Sequence, residues 1–185
     1  MNKVFFLDRD GVIIEDKNYL SSPDQVVLCR GTVSAFRKIR EAGYGIVVVS
    51  NQSGIARGYF TENDLKKVEK RIEELLEQSG APVPDKWYYC PHHVKGSVPE
   101  FSFECNCRKP KPGLFLQAKK ELDIDCANSV VIGDKLSDLE GGFSAGCGKG
   151  VLVLTGHGKE QELSPLAREY ETAPGILEAV ESALK

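Results

Sequence analysis

The chain has no stretch of about 18 consecutive apolar residues, which excludes a membrane-spanning helix. It has no basic surplus either. Its 24 Lys and Arg stand against 27 Asp and Glu, a formal net charge of −3, so no sequence-independent grip on nucleic acid is implied. Internal repeats, low-complexity tracts and linkers are missing. Met1 to Asp8 run directly into an apolar segment, without the basic region and cleavage site of a secretion signal. Six cysteines in 185 residues are too few for a disulfide scaffold. These absences point to a cytoplasmic protein with small molecules rather than nucleic acid or membrane as partners, and a monomer is the expectation. Hydrophobic residues make up 41% and charged residues 28%, the balance of a globular chain, and the length fits one domain over residues 1–185.

What is present is a succession of short, continuously apolar runs: Val4–Leu7 ending at Asp8, Ile46–Val49 ending at Ser50 and Asn51, Val130–Ile132 ending at Gly133 and Asp134, and Val151–Leu154. Such runs read as strands buried on two faces. Lys86–Cys90 is aromatic enough for a fifth strand near a sheet edge. Helical spacing lies between them, at Val33, Phe36 and Ile39, and at Leu65, Val68, Ile72, Leu75 and Leu76 behind a Thr61-x-x-Asp64 capping start. Further helices are expected over about 112–122, 136–145 and 174–184. Strands alternating with helices make an α/β fold with a mostly parallel sheet. Ligands then bind beyond the carboxyl ends of the strands, where Asp8, Ser50 and Asp134 stand.

Asp8-x-Asp10-Gly11 sets two carboxylates two residues apart at a strand end. One can attack phosphorus while the other serves as acid to the leaving oxygen and base to water, although Asp and Gly also form ordinary turns. Gly133-Asp134-Lys135-x-x-Asp138 offers the oxygen ligands a hard Mg²⁺ ion takes. Asp138 itself reads rather as a solvated acid on a first helical turn, favoured there by the helix dipole. Ser50-Asn51-Gln52-Ser53 presents hydroxyl, amide and backbone donors suited to phosphoryl oxygens, or a simple turn. Arg108, Lys109 and Lys111 gather three cations beside a helix start, as a phosphate site or a solvated surface cluster.

Cys90-Pro91-His92, twelve intervening residues and then Cys105-Asn106-Cys107 give three thiolates and one imidazole, a ligand set for structural zinc; His93 is the neighbouring alternative. They sit in the one long unpatterned stretch, Pro91–Lys111, where bound metal becomes loop-folding energy. Free thiols in a polar loop are the alternative. Cys29, Cys126 and Cys147 lack partners at ligand spacing, Trp87–Tyr89 read as sheet packing, and His157 and Arg57 receive no role.

The order Asp8-x-Asp10-Gly11, Ser50, Lys109 and Gly133-Asp134-x-x-x-Asp138 resembles the four motifs of the haloacid-dehalogenase (HAD)-type phosphatases over about residues 3–155. The resemblance implies a Rossmann-like fold, catalytic Mg²⁺ and an aspartyl-phosphate intermediate. Asp8 would be nucleophile and Mg²⁺ ligand, and Asp10 general acid/base and ligand through its carbonyl. Ser50 and Lys109 would hold the phosphoryl group, and Asp134 would complete the metal ligands.

The Cys90–His93, Cys105–Gly113 and Ser50–Gly58 segments are similar to a subgroup acting on phosphorylated heptoses and on histidinol phosphate. That similarity implies a small phosphorylated sugar substrate met by Asp16, Lys17, Asn18, Tyr19, Asn51, Gln52, Ser53, Arg108 and Lys135. Many relatives carry Gly where Asn18 stands, and Asn also tolerates positive φ. Only 41 residues separate Asp8 from Ser50, too few for a helix and a cap domain, so a capless, open site is expected. The rival class is a phospho-acceptor or zinc-scaffolded binding module, which has little use for an acid/base at Asp10.

Overall fold

The computed structural model describes residues 2–185; Met1, where the expected domain begins, lies outside the described residues. The apolar runs form parallel strands: β1 (Val4–Leu7), β2 (Gly45–Asn51), β3 (Lys86–Cys90), β4 (Val130–Gly133) and β5 (Lys149–Val153). A three-residue strand, β6 (Glu171–Ala173), was not foreseen, because two of its three residues are exposed and no apolar run marks it. The sheet order is β3-β2-β1-β4-β5-β6, every pairing is parallel, and β3 lies at an edge as its composition predicts.

Successive side chains of a strand point to opposite faces, and the sheet therefore splits its apolar residues between two cores. Phe5, Leu7, Ile46, Val48, Ile132 and Val151 face one, while Val4, Phe6, Val47, Val49, Val131 and Leu152 face the other. Helices α1 (Thr32–Glu41), α2 (Glu62–Gln78) and α6 (Ile176–Ala183) cover the first. Helices α3 (Gly113–Leu122) and α4 (Leu136–Ser144) cover the second. A one-turn helix, α5 (Gly158–Gln161), was too short to leave a periodic signal. Helix α2 begins where its motif says it should: the Thr61 hydroxyl accepts from the Asp64 amide at 3.2 Å, and the Thr61 amide donates to the Asp64 carboxylate at 3.1 Å.

The chain runs outward from β1 to β2 and β3, then crosses back to place β4 on the other side of β1. A crevice opens at such a reversal, beyond the carboxyl ends of β1 and β4. Asp8 and Asp134 are the residues that follow those two strands. Among the described residues, α1 is the one α-helix between β1 and β2, so no cap domain is inserted between these two strands.

Candidate active site

Lys109 reaches the crevice from the long 91–111 segment. Its ammonium donates to Asp8 Oδ1 at 2.8 Å and to the Val49 carbonyl at 2.6 Å, and stands 2.7 Å from Asp138 Oδ1. Burial opposes the Lys109 charge, yet Asp138 and Asp8 together hold its pKa above the ordinary lysine value. Desolvation pushes the Asp8 carboxyl up to about 6 although Lys109 pulls the other way. Asp134 is driven further, to about 8, by burial and by the charges of Asp8 and Asp138.

Asp8, Asp134 and Asp138 each turn a carboxylate oxygen into a space where these atoms lie within 4.8 Å of one another. Three acids crowd around the buried Lys109, with the half-exposed Lys135 ammonium no nearer than 3.9 Å to Asp134, and Asp134 Oδ1 is buried with no hydrogen-bond partner. An orphaned carboxylate oxygen in an all-oxygen, anionic cluster fits a hard divalent cation such as Mg²⁺. Asp138 thus departs from the solvated position expected of it. It is 3% exposed because one carboxylate both meets Lys109 and accepts from the Lys135 amide at 3.0 Å. Its place as the second acid of the Gly133-Asp134 motif was the available signal.

Gly11 makes this crowding possible. Its φ is +84°, and a Cβ there would stand 2.5 Å from Asp134 Oδ2, so a side chain would push the carboxylate away.

Asp10 lies beside this cluster in a second network. Arg9 Nε and Nη2 donate to its two oxygens at 3.0 and 2.9 Å. Gln52 Nε2 donates to Asp10 Oδ2 at 2.9 Å and to Ser50 Oγ at 2.6 Å, while Gln52 Oε1 accepts from Arg9 Nη2 at 3.1 Å. Both Gln52 N–H donors are therefore engaged inside the protein. Ser50 is the penultimate residue of β2 rather than the first after it, and remains at the strand's carboxyl end. Arg9 was missed by sequence reasoning, since an arginine between two acids reads as a solvated pair.

A cavity of about 370 Å³ opens in front of these groups, lined by Asp10, Asp16, Asn18, Tyr19, Asn51, Gln52, Ser53, Arg108, Lys109, Lys135 and His157, among others. Asn51 also clamps the cation-bearing segment, donating to the Lys109 carbonyl at 3.2 Å and accepting from the Lys109 amide at 3.1 Å. Lys17 does not line the cavity: it is exposed and lies 3.9 Å from Glu15. Asn18 and Tyr19 adopt left-handed conformations, φ +49° and +60°, and the Asn18 amide donates to Asp16 Oδ1 at 2.9 Å. His157, given no role from sequence, donates its amide to Asp134 Oδ2 at 2.8 Å and sets Nε2 3.1 Å from Asp16 Oδ2. Arg57 stays off the cavity wall, with Nη2 3.4 Å from His93 Nε2.

The Cys/His residues converge as their spacing implies. Cys90, His92, Cys105 and Cys107 have ligand atoms within 4.8 Å of one another, with sulfur separations of 3.1, 3.3 and 3.5 Å and His92 Nδ1 3.3 Å from Cys107 Sγ. A tetrahedral site with Zn–S near 2.3 Å sets its sulfurs about 3.8 Å apart, a few tenths of an ångström wider than the separations here. His93 turns away, with Nδ1 accepting from the Lys95 amide and Nε2 toward Arg57. The loop is braced by the Ser97 and Val98 amides, which donate to the Ala56 carbonyl at 2.8 and 2.9 Å. Cys126 and Cys147, unpaired by spacing, are in fact neighbours in the second core.

A model of the polynucleotide kinase 3 phosphatase family matches residues 3–142, and a HAD-hydrolase-like model matches residues 106–179. The chain is 45% identical over 168 residues to D-glycero-beta-D-manno-heptose-1,7-bisphosphate 7-phosphatase of Yersinia pestis, spanning 91% of this chain and 85% of the relative. It is 42% identical over 155 residues to D-glycero-alpha-D-manno-heptose-1,7-bisphosphate 7-phosphatase of Photorhabdus laumondii, spanning 84% of each. Among solved structures it is similar to D,D-heptose 1,7-bisphosphate phosphatase from B. bronchiseptica complexed with magnesium and phosphate, with a TM-score of 0.85, 32% identity and 98% of both chains covered. The chain belongs to the HAD-like phosphatases, in the family of the heptose-1,7-bisphosphate 7-phosphatases.

Proposed function

We propose that the protein is a phosphomonoesterase that removes the C7 phosphate of D-glycero-beta-D-manno-heptose 1,7-bisphosphate. The observation that carries this reading is the Asp8–Lys109–Asp138 constellation beside Asp10 at the sheet's switch point, in a chain whose relatives at 42–45% identity are named heptose-1,7-bisphosphate 7-phosphatases. Most of the relatives compared carry the beta designation, and the beta anomer is the substrate proposed.

In this mechanism Asp8 attacks the C7 phosphorus, and an aspartyl phosphate forms as the bridging P–O bond breaks. Asp10 gives its proton to the departing sugar oxygen, then takes one from the water that hydrolyses the acyl phosphate. Lys109 and Ser50 hold phosphoryl oxygens, and the Lys109 charge keeps Asp8 ionised as an attacking group. Mg²⁺, held by Asp8, Asp134 and the Asp10 carbonyl, would supply the charge that lets an anionic phosphate approach an anionic aspartate. Asp16, Asn18, Tyr19, Asn51, Ser53, Arg108 and Lys135 line the cavity where the sugar and its second phosphate would rest. Arg108, whose Nη1 lies 3.4 Å from the His92 carbonyl, would be held there by a zinc ion bound to Cys90, His92, Cys105 and Cys107, which shapes the loop and takes no part in the chemistry.

The test is phosphate release with Mg²⁺ from both anomers of the bisphosphate and from histidinol phosphate, compared as kcat/KM. The expected result is preference for the beta bisphosphate with loss of the C7 phosphate alone. Preference for histidinol phosphate would retain the chemistry and overturn the substrate. Undiminished turnover by Asp8→Asn would overturn the covalent mechanism.

A further inference from the structure

Arg9 occupies the middle of the Asp8-x-Asp10 motif and is 1% exposed, although its charge is permanent. Burying a guanidinium is costly, and one of its nitrogens, Nη1, is buried without a hydrogen-bond partner. The other two are both committed to Asp10, at 3.0 and 2.9 Å, and Nη2 adds Gln52 Oε1 at 3.1 Å. Gln52 closes the loop by donating to the same Asp10 oxygen that Arg9 Nε meets. The carboxylate is thus gripped by a planar fork from one side and an amide from another, and Gln52 ties it to Ser50 Oγ at 2.6 Å. Neither apolar core uses Arg9, and the mechanism above asks nothing of it.

We propose that Arg9 and Gln52 are positioning residues that fix the direction in which Asp10 presents its carboxyl to the leaving oxygen. This rests on the reading of Asp10 as the group that protonates the departing alkoxide. An aspartate at a strand end turns about two side-chain bonds, and a proton donor must lie within hydrogen-bond reach of its target at the moment the P–O bond breaks. A lysine would carry the same charge without the fork, so charge and direction are separable at position 9.

Leaving-group chemistry tests this. A sugar alkoxide needs a proton as it departs, whereas p-nitrophenolate leaves without one. Single-turnover release of the leaving group is measured with the Mg²⁺-loaded, zinc-retaining enzyme for the heptose bisphosphate and for p-nitrophenyl phosphate, in wild type, Arg9→Lys and Gln52→Met. Arg9→Lys is expected to slow sugar release about 100-fold, with p-nitrophenolate release and both KM values within about threefold of wild type. Gln52→Met loosens one arm and also releases Ser50 Oγ, so a loss of about tenfold on sugar release, clearly larger than its loss on p-nitrophenolate release, is expected. That variant keeps the test available if Arg9→Lys does not fold.

Equal losses on both leaving groups would overturn the proposal in favour of a structural or nucleophile-side role. A raised KM for the bisphosphate with unchanged rate would overturn it in favour of direct substrate binding. If wild type leaves the bisphosphate intact, the functional reading fails separately, and glycerol phosphate as the alkoxide substrate carries the same comparison.

Discussion

Replacing Lys109 by Met keeps an unbranched side chain of similar length and removes one charge from the centre of the site. In the wild-type protein the buried ammonium meets Asp8, Asp138 and the Val49 carbonyl, all within 2.8 Å. Without it two buried carboxylates face each other unneutralised. Removing one partner of a buried ion pair costs about 3–5 kcal/mol, since the remaining charge stays desolvated. A domain holds about 5–15 kcal/mol in total, so the variant should fold at low temperature with much of its margin gone. Urea unfolding at pH 8, in buffer free of Mg²⁺ but without a chelator that would also take zinc, follows this through the fluorescence of the single tryptophan, Trp87. The midpoint should fall with the slope unchanged. Adding Asp138→Asn takes away one of the stranded charges and should return about 1–3 kcal/mol. A Lys109→Met loss under about 1 kcal/mol, or a double variant no more stable than the single one, would refute the view that Lys109 neutralises these acids.

Three further outcomes are expected. Asp134 holds its proton up to about pH 8 in the Mg²⁺-free fold, whereas the unfolded chain gives it up near pH 4, so stability declines as pH rises through that window. Asp134→Asn should accordingly stabilise the Mg²⁺-free protein by roughly 1–3 kcal/mol at pH 8, and hardly at pH 4, in paired thermal melts; an equal gain at both pH values would contradict this. Metal analysis of protein purified without chelator should find zinc bound by the Cys/His cluster, and Cys107→Ala should lose both the zinc and at least about tenfold in activity, because Lys109 is two residues away. Gly11→Ala, which adds a Cβ 2.5 Å from Asp134 Oδ2 at a φ of +84°, should cost about 2–3 kcal/mol and weaken Mg²⁺ binding as read by calorimetry. Wild-type stability and affinity in that variant would show that the turn relaxes freely.

Much of the architecture was legible because burial on both faces of a parallel sheet leaves a local trace. Val4–Leu7 and Val130–Ile132 are continuously apolar, and each ends at an acid that the fold turns toward the crevice. The Thr61–Asp64 cap was equally readable, since both partners lie within one helical turn. β6 and α5 were silent: three and four residues are too short to show a period. The burial of Asp138 was silent for a different reason. The position reads locally as an exposed helix start, and the cation that draws it inward lies 29 residues earlier.

The sequence by itself determined five of the six strands, the order of the acids at their ends and the Cys/His cluster, each carried by residues close together in the chain. Only the tertiary structure decided which side chains share the crevice. It brought Lys109 to Asp8 across 101 positions and His157 to Asp16 across 141, folded Arg9 onto Asp10, and left Lys17 in solvent. Such partnerships arise from the order in which strands pair, and a hydrophobic period records which face a residue takes without recording what it meets there.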